Sequence, residues 1–206
     1  MTYNKASSLF DLSRWSRLAQ IGSINAITGL SEMVDQEIKV TALSLEEVSM
    51  RNASALIGEP DDMMVGIYLL FSGSASGQIM LAFQPQTAFD LVDMAMGTPP
   101  GTTRELGEME QSVLAEAGNV VGSFFLNAVA DHASLRLLPS PPVVVMDMVG
   151  SLMGTVLAGA LQESESVFVI RLSFSSPDRQ LEGRFLVLPT LDSHTDASEN
   201  EENQTT

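Results

Sequence analysis

The sequence of 206 residues contains no cysteine. Disulfides, thiolate nucleophiles and cysteine-ligated metals are therefore excluded. Two histidines are too few for a histidine metal site. A glycine-rich phosphate loop ending in GK[ST], an HExxH motif and a GxSxG motif are also missing from the sequence. Because no familiar enzyme motif is present, the function has to be sought in other polar residues.

Basic residues are scarce. Ten lysines and arginines stand against 26 aspartates and glutamates, so the formal net charge is −16. A field of that sign repels phosphate backbones and anionic lipid surfaces, and we expect no nucleic acid among the partners. Only Lys5 and Lys39 are lysines. This pattern is typical of proteins kept soluble at high salt and also of ordinary acidic cytosolic proteins, and both interpretations stay open.

Long apolar runs without a charge are missing too. The N-terminal residues lack the apolar core of a signal peptide. The longest apolar stretch, Val143 to Leu161, contains Asp147 and several glycine, serine and threonine residues. A membrane span needs about 20 mostly apolar residues. We therefore predict a cytoplasmic protein without membrane insertion.

The spacing of apolar residues predicts an order of elements that occurs twice. Helices are predicted over 11–34, 45–57, 85–96, 103–130 and 148–161, and strands over 37–45, 63–71, 78–83, 135–138, 143–146, 167–174 and 185–188. The order of long helix, strand, short helix and two strands occurs before Pro99 and again after it.

This repeat predicts an α+β domain over 11–190, formed by two pseudo-symmetric halves at about 11–98 and 103–190. We expect a mainly antiparallel sheet with the two long helices packed on one of its faces. Residues 1–10 are interpreted as an N-terminal lead-in. Residues 191–206 carry five acids and no lysine or arginine, which predicts a disordered acidic tail.

The most informative polar residues lie on the second long helix. Ser112, Glu116 and Asn119 follow the spacing S-x3-E-x2-N, and Pro142 lies 23 residues beyond Asn119. On a helix, Glu116 and Asn119 are neighbours on one face. The carboxylate could pair with a cation of a partner, and the carboxamide could orient a water molecule. A solvated helix face has a similar composition, although asparagine is unfavourable in the middle of a helix.

These four residues match every fixed position in the signature of the CheC/CheX/FliY chemotaxis phosphatases, and residues 10–190 resemble CheC, most clearly over 91–131, 138–151 and 183–189. The resemblance implies a phosphatase that acts on the phospho-aspartate of the response regulator CheY. Glu116 would contact a lysine of CheY, and Asn119 would orient the attacking water. Ser112 and Pro142 would be supporting residues. Any Mg²⁺ would belong to CheY, so no cofactor is expected in this chain.

CheC-like proteins usually carry one such site in each half, and here the first half departs from the pattern. Ser16 fits, but Gln20 replaces the glutamate, Ser23 replaces the asparagine, and Glu46 stands in place of the proline. A serine is too short to reach as an asparagine does. We therefore predict a degenerate first site at Gln20 and Ser23 and one working site in the second half.

The resemblance also implies binding of the receptor deamidase CheD, through a short helix that follows the proline. The matching segment is 146–150, with Asp147, Met148 and Gly150 as candidate contacts. Core packing would explain the methionines and valines of this segment equally well, but not Asp147. Two alternatives to the phosphatase stay open. One is a non-catalytic CheD-binding adaptor, and the other is a flagellar switch component of the FliY type, which we rank lower because it would need a further C-terminal domain.

Overall fold

An antiparallel sheet forms the centre of the computed structural model, which describes residues 12–160, 166–177 and 180–190. The predicted lead-in and tail lie outside these residues. The elements in chain order are α1 (Leu12–Val34), β1 (Lys39–Ser49), α2 (Met50–Ile57), β2 (Met63–Gly73), β3 (Ser76–Phe83), α3 (Pro85–Ala95), α4 (Glu108–Ala133), β4 (Leu137–Pro139), β5 (Val143–Met148), α5 (Val149–Ala160), β6 (Ser166–Ser175) and β7 (Gln180–Thr190).

The two halves exchange strands within this sheet. The strand order is β1-β6-β7-β3-β2-β4, and β5 pairs with β2 as well. β1, from the first half, pairs with β6 of the second half, and β5, from the second half, pairs with β2 of the first. The hairpins of the two halves meet in the middle, where β3 pairs with β7. Each half therefore completes the sheet of the other.

The helices cover the sheet on both faces. α1, α3 and α4 share a large core cluster with one face of the sheet, while α2 and α5 cover a smaller cluster on the opposite face. Phe125 of α4 and Ile67 of β2 are fully buried in the first cluster, and Met80 of β3 and Met153 of α5 lie in the second. The predicted α+β class and the placement of both long helices on one face are confirmed.

Two glycines allow α4 to lie close to β2. A Cβ atom built on Gly118 would overlap the side chain of Ile67, and one built on Gly122 would lie 2.8 Å from Cδ2 of Leu69. The Cβ atom on Gly118 would also lie 3.5 Å from Cβ of Pro142. The absence of a side chain at Gly118 therefore fixes the height of α4 above the sheet and its distance from Pro142.

We expect Gly118→Ala to lower the free energy of unfolding by about 1–3 kcal/mol, because the added methyl group meets a buried, branched side chain. Gly154→Ala is the matched control, since a Cβ atom at Gly154 of α5 would have no neighbour within 4 Å. The control should gain up to about 1 kcal/mol from helix propensity. Urea unfolding of the two variants measures the difference, and equal effects would contradict this account of the close approach.

The predicted helix over 45–57 is wrong in its first five residues, since 45–49 continue β1 and α2 begins only at Met50. Leu45 lies opposite Ile170 and Ser49 lies opposite Ser166 of β6. The strand is therefore fixed by a partner more than 100 positions away, which no local periodicity contains. The last strand, β7, is also longer than predicted, because residues 180–184 pair with β6.

The second long helix begins at Glu108 and not at residue 103, because a buried carboxylate holds the preceding loop. Asp93, near the end of α3, is fully buried. Its Oδ1 accepts hydrogen bonds from the amide of Thr103 at 2.8 Å and the hydroxyl of Thr98 at 3.2 Å, and its Oδ2 accepts the amide of Thr102 at 3.1 Å. Burial opposes the charge, but the hydrogen bonds from Thr103, Thr98 and Thr102 outweigh it and lower the pKa of Asp93.

Candidate functional site

The outer face of α4 presents the predicted polar residues. Ser112, Glu116 and Asn119 are all exposed, whereas Leu114 and Val121 on the opposite side of the same helix are buried in the core. Within the described part of the chain, the side chains of Glu116 and Asn119 have no hydrogen-bond partner and no ion pair. A carboxylate and a carboxamide are thus held by a rigid helix, one turn apart, and both are free to contact another molecule.

Pro142 lies beside this face but does not belong to it. Its side chain is half-buried against α4 at Gly118, the residue just before Asn119. It precedes β5, the strand that continues the sheet next to β2. Pro142 thus lies close to α4 next to the position of Asn119.

The first half has a different arrangement at the corresponding positions. Gln20 of α1 is exposed, but Ser23 is only 4% exposed and lines a small apolar cavity with Ala26, Leu81 and Phe125. The side chain of Ser23 therefore faces the core rather than the solvent. Glu46 lies on β1, where it forms an ion pair of 3.8 Å with Arg171 of β6.

The segment proposed for CheD is only partly helical. Met146, Asp147 and Met148 form the end of β5, and α5 begins at Val149, so only the last two residues of the segment matched to the CheD-binding helix are helical, and the helix predicted from residue 148 begins one residue later. The carboxylate of Asp147 accepts hydrogen bonds from the hydroxyl of Ser151 at 2.6 Å and from the amide of Met148 at 2.7 Å. These bonds lower the pKa of Asp147. The hydroxyl of Ser151 thus gives the acid in this apolar run a hydrogen-bond partner, while the first amides of α5, those of Val149 and Gly150, donate to the carbonyls of Asp62 and Pro60.

Tyr68 connects β2 to the start of α5. Its hydroxyl donates to the backbone carbonyl of Leu152 at 3.2 Å. Burial, followed by the charge of Asp147, raises the pKa of Tyr68 to about 12. The neutral form is thus favoured in the folded state.

We expect the stability that Tyr68 contributes to be complete below pH 10, its usual pKa, and to be lost as the pH rises towards 12. Tyr68→Phe should remove this loss, at a cost of about 1 kcal/mol at neutral pH for the hydrogen bond. The free energies of unfolding of the wild type and of Tyr68→Phe between pH 7 and 12 measure this alkaline loss of stability. A wild type and variant with the same alkaline dependence would exclude Tyr68 as its source.

The described residues contain no group of three histidine, aspartate or glutamate side chains that could hold a metal ion. One helix in that part of the chain, α4, is long and apolar enough to cross a membrane by composition alone. It packs in the core on one face of the sheet. Core helices of soluble proteins pass the same test, so this composition is weak support for a membrane span.

The match to a family model covers this helix and the strand that follows it. The model of the CheC-like family matches residues 109–146, which include α4 and Pro142. The sequence is 26% identical over 180 residues to the CheY-P phosphatase CheC of Bacillus subtilis, with 85% of this chain and 86% of that protein covered. The chain is thus similar to the CheC-like family over α4 and Pro142, and to one CheC protein over most of its length.

Solved structures share the fold. FliY of Thermotoga maritima superposes with a TM-score of 0.71 at 18% identity, covering 91% of this chain and 92% of that one. A chain of the CheX-CheY-BeF3-Mg²⁺ complex from Borrelia burgdorferi superposes with a TM-score of 0.51 at 16% identity, covering 84% and 97%. At such identities the likeness is one of architecture.

Proposed function

We propose that this chain is a cytoplasmic phosphatase that hydrolyses the aspartyl phosphate of the chemotaxis response regulator CheY. The observation that carries the proposal is the pair of exposed, unpartnered side chains of Glu116 and Asn119, one turn apart on α4. They lie in the region that matches the CheC-like family. The Bacillus subtilis relative is named a CheY-P phosphatase, which supports the same activity.

In the proposed reaction, α4 lies against the phosphorylated site of CheY. Glu116 pairs with a lysine there and fixes the position of the helix. The carboxamide of Asn119 enters the site, where its oxygen accepts a hydrogen bond from the attacking water. The water oxygen forms a new bond to phosphorus while the bond from phosphorus to the aspartyl oxygen breaks, releasing inorganic phosphate and a free carboxylate. Phosphoryl transfer depends mostly on positioning and electrostatics, so one correctly held amide can be sufficient.

Decay of phosphorylated CheY, measured with and without this protein, tests the proposal. We expect the protein to accelerate the decay at concentrations far below that of CheY, as a catalyst must. Any Mg²⁺ required should be needed by CheY alone. An unchanged rate of decay at all protein concentrations would refute the phosphatase function.

CheD is the second proposed partner. Met148 and Gly150 are exposed at the junction of β5 and α5, on either side of which Asp147 and Ser151 are hydrogen-bonded to each other. This exposure favours a contact surface over core packing for the segment. If the protein binds purified CheD but leaves the decay of phosphorylated CheY unchanged, the non-catalytic adaptor is the better description.

A further inference from the structure

Exposed apolar side chains are concentrated at one edge of the sheet. Of the ten large apolar residues that are exposed in the described part of the chain, seven lie on β2, β4 and β5, and three of these, Met63, Met146 and Met148, are on the face of the sheet that carries α4. Single exposed apolar residues are normal on protein surfaces, whereas contiguous ones mark contact sites. The outer side of β5 also has no paired strand among the described residues, so its backbone groups there have no strand partner.

The opposite edge of the same sheet provides an internal comparison. β1 occupies the position in the first half that β5 has in the second, since each pairs with the hairpin of the other half. β1 carries Lys39, Glu46 and Glu47, and its register is interrupted between Val40 and Ala42. Charges and bulges protect an edge strand from association. β5 has Asp147 alone among its six residues, so only one of the two edges is protected in this way.

The apolar residues at the end of β5 lie on the same face of the sheet as α4. Met146 pairs with Val65, and Met148 pairs with Met63 of β2, so all four side chains point to one face. Val65 is buried in the cluster that contains α4, whereas Met63, Met146 and Met148 are exposed. Pro142, just before β5, contacts α4 beside Asn119. The polar residues of α4, Pro142 and these methionines therefore lie on one side of the sheet, and we call Met63, Met146 and Met148 the methionine edge.

We propose that the phosphorylated regulator binds across both parts, with its reactive site on α4 and a neighbouring apolar surface on the methionine edge. This inference rests on the proposed function. A stable protein contact buries roughly 800 Å² on each partner, and the three small polar side chains of α4 supply only part of it. The methionine edge supplies further apolar area on the same face of the sheet, and methionine adapts to different partner shapes. Met146 and Met148 thus determine affinity, while Asn119 determines the rate of the chemical step.

The test is the double variant Met146→Gln and Met148→Gln in the full-length chain. These residues are 42% and 48% exposed, and glutamine has a similar length without a charge, so folding should be retained. We expect KM for phosphorylated CheY to rise about tenfold with kcat within about twofold, since lost apolar burial weakens binding uniformly. Binding of beryllofluoride-activated CheY should weaken by the same factor. This binding measurement does not depend on catalysis.

Leu70→Gln is the matched control. Leu70 is 61% exposed and lies on β2, but it points to the face opposite α4. It should leave both KM and binding unchanged. An unchanged KM and affinity in the double variant would overturn the inference, and so would an equal effect of Leu70→Gln. If the double variant loses CheD binding but keeps CheY binding, the methionine edge is a CheD surface and the inference is overturned as well. A wild type that binds activated CheY through these methionines without accelerating decay would refute the phosphatase function alone.

Discussion

Asn119→Ala should reduce the acceleration of CheY-P hydrolysis by at least about 100-fold, because it removes the group that orients the attacking water in the proposed reaction. KM should change little, since Glu116 and the rest of the helix face are retained. The free energy of unfolding should stay within about 0.5 kcal/mol of the wild type or rise, because Asn119 is exposed and alanine is the better helix former. Single-turnover decay of phosphorylated CheY measures the effect.

Asn127→Ala is the control for this result. Asn127 is also exposed and lies two turns further along α4 on the same side, so the substitution removes an identical group from the same helix. It should leave the rate of hydrolysis unchanged. Ser23→Ala should also be without effect on the rate, because Ser23 is buried in the first half. Retained activity in Asn119→Ala together with lost activity in Ser23→Ala would refute the assignment of the working site to the second half.

Asp93→Ala should cause a large loss of stability, of about 3 kcal/mol. The substitution leaves the amides of Thr102 and Thr103 without their acceptor, and hydrogen bonds to charged groups contribute about 1.5–3 kcal/mol each. Asp90→Ala on the same helix is the control. Asp90 is only partly buried and its hydrogen bond with Gln86 is exposed, so we expect a smaller loss than for Asp93→Ala. Chemical denaturation of both variants at neutral pH gives the comparison.

The pH dependence provides a second measurement on Asp93. Its pKa is lower in the folded protein than the usual 3.8, so the folded state favours the carboxylate. The stabilisation is therefore complete above pH 3.8 and is lost as the pH falls through the lower pKa of the folded state. Asp93→Asn should reduce the stability at neutral pH and flatten this acidic limb. A variant that retains the full acidic dependence would show that other carboxyl groups cause it.

The sequence predicts this fold well where the information is local, and less well where it depends on distant partners. The apolar period of three to four residues is sufficient to predict α1 and α4, and the glycines between β2 and β3 predict their hairpin. The predicted end of β1, at residue 45, is wrong because pairing with β6 extends the strand to Ser49. The start of α4 was wrong because the hydrogen bonds of Asp93 hold residues 98–103 outside the helix.

For the site, the sequence predicts which residues share a face of α4, since a helix converts spacing directly into position. It does not predict that Ser23 faces the core, because this depends on how α1 is rotated against the sheet. The methionine edge was also not predicted. Its residues come from β2 and β5, which are more than 70 positions apart and are joined only by strand pairing.

The exchange of strands between the halves has a consequence for how such a chain can arise. Two separate copies of a half-length ancestor, each giving its first strand to the hairpin of the other, would form this same sheet with two equivalent long helices. The present chain has the strand topology that such a swapped dimer would have after the two copies were joined. Two halves that are joined in one chain can differ in sequence. The polar residues of α4 can therefore stay exposed while Ser23 of α1 is buried in the core.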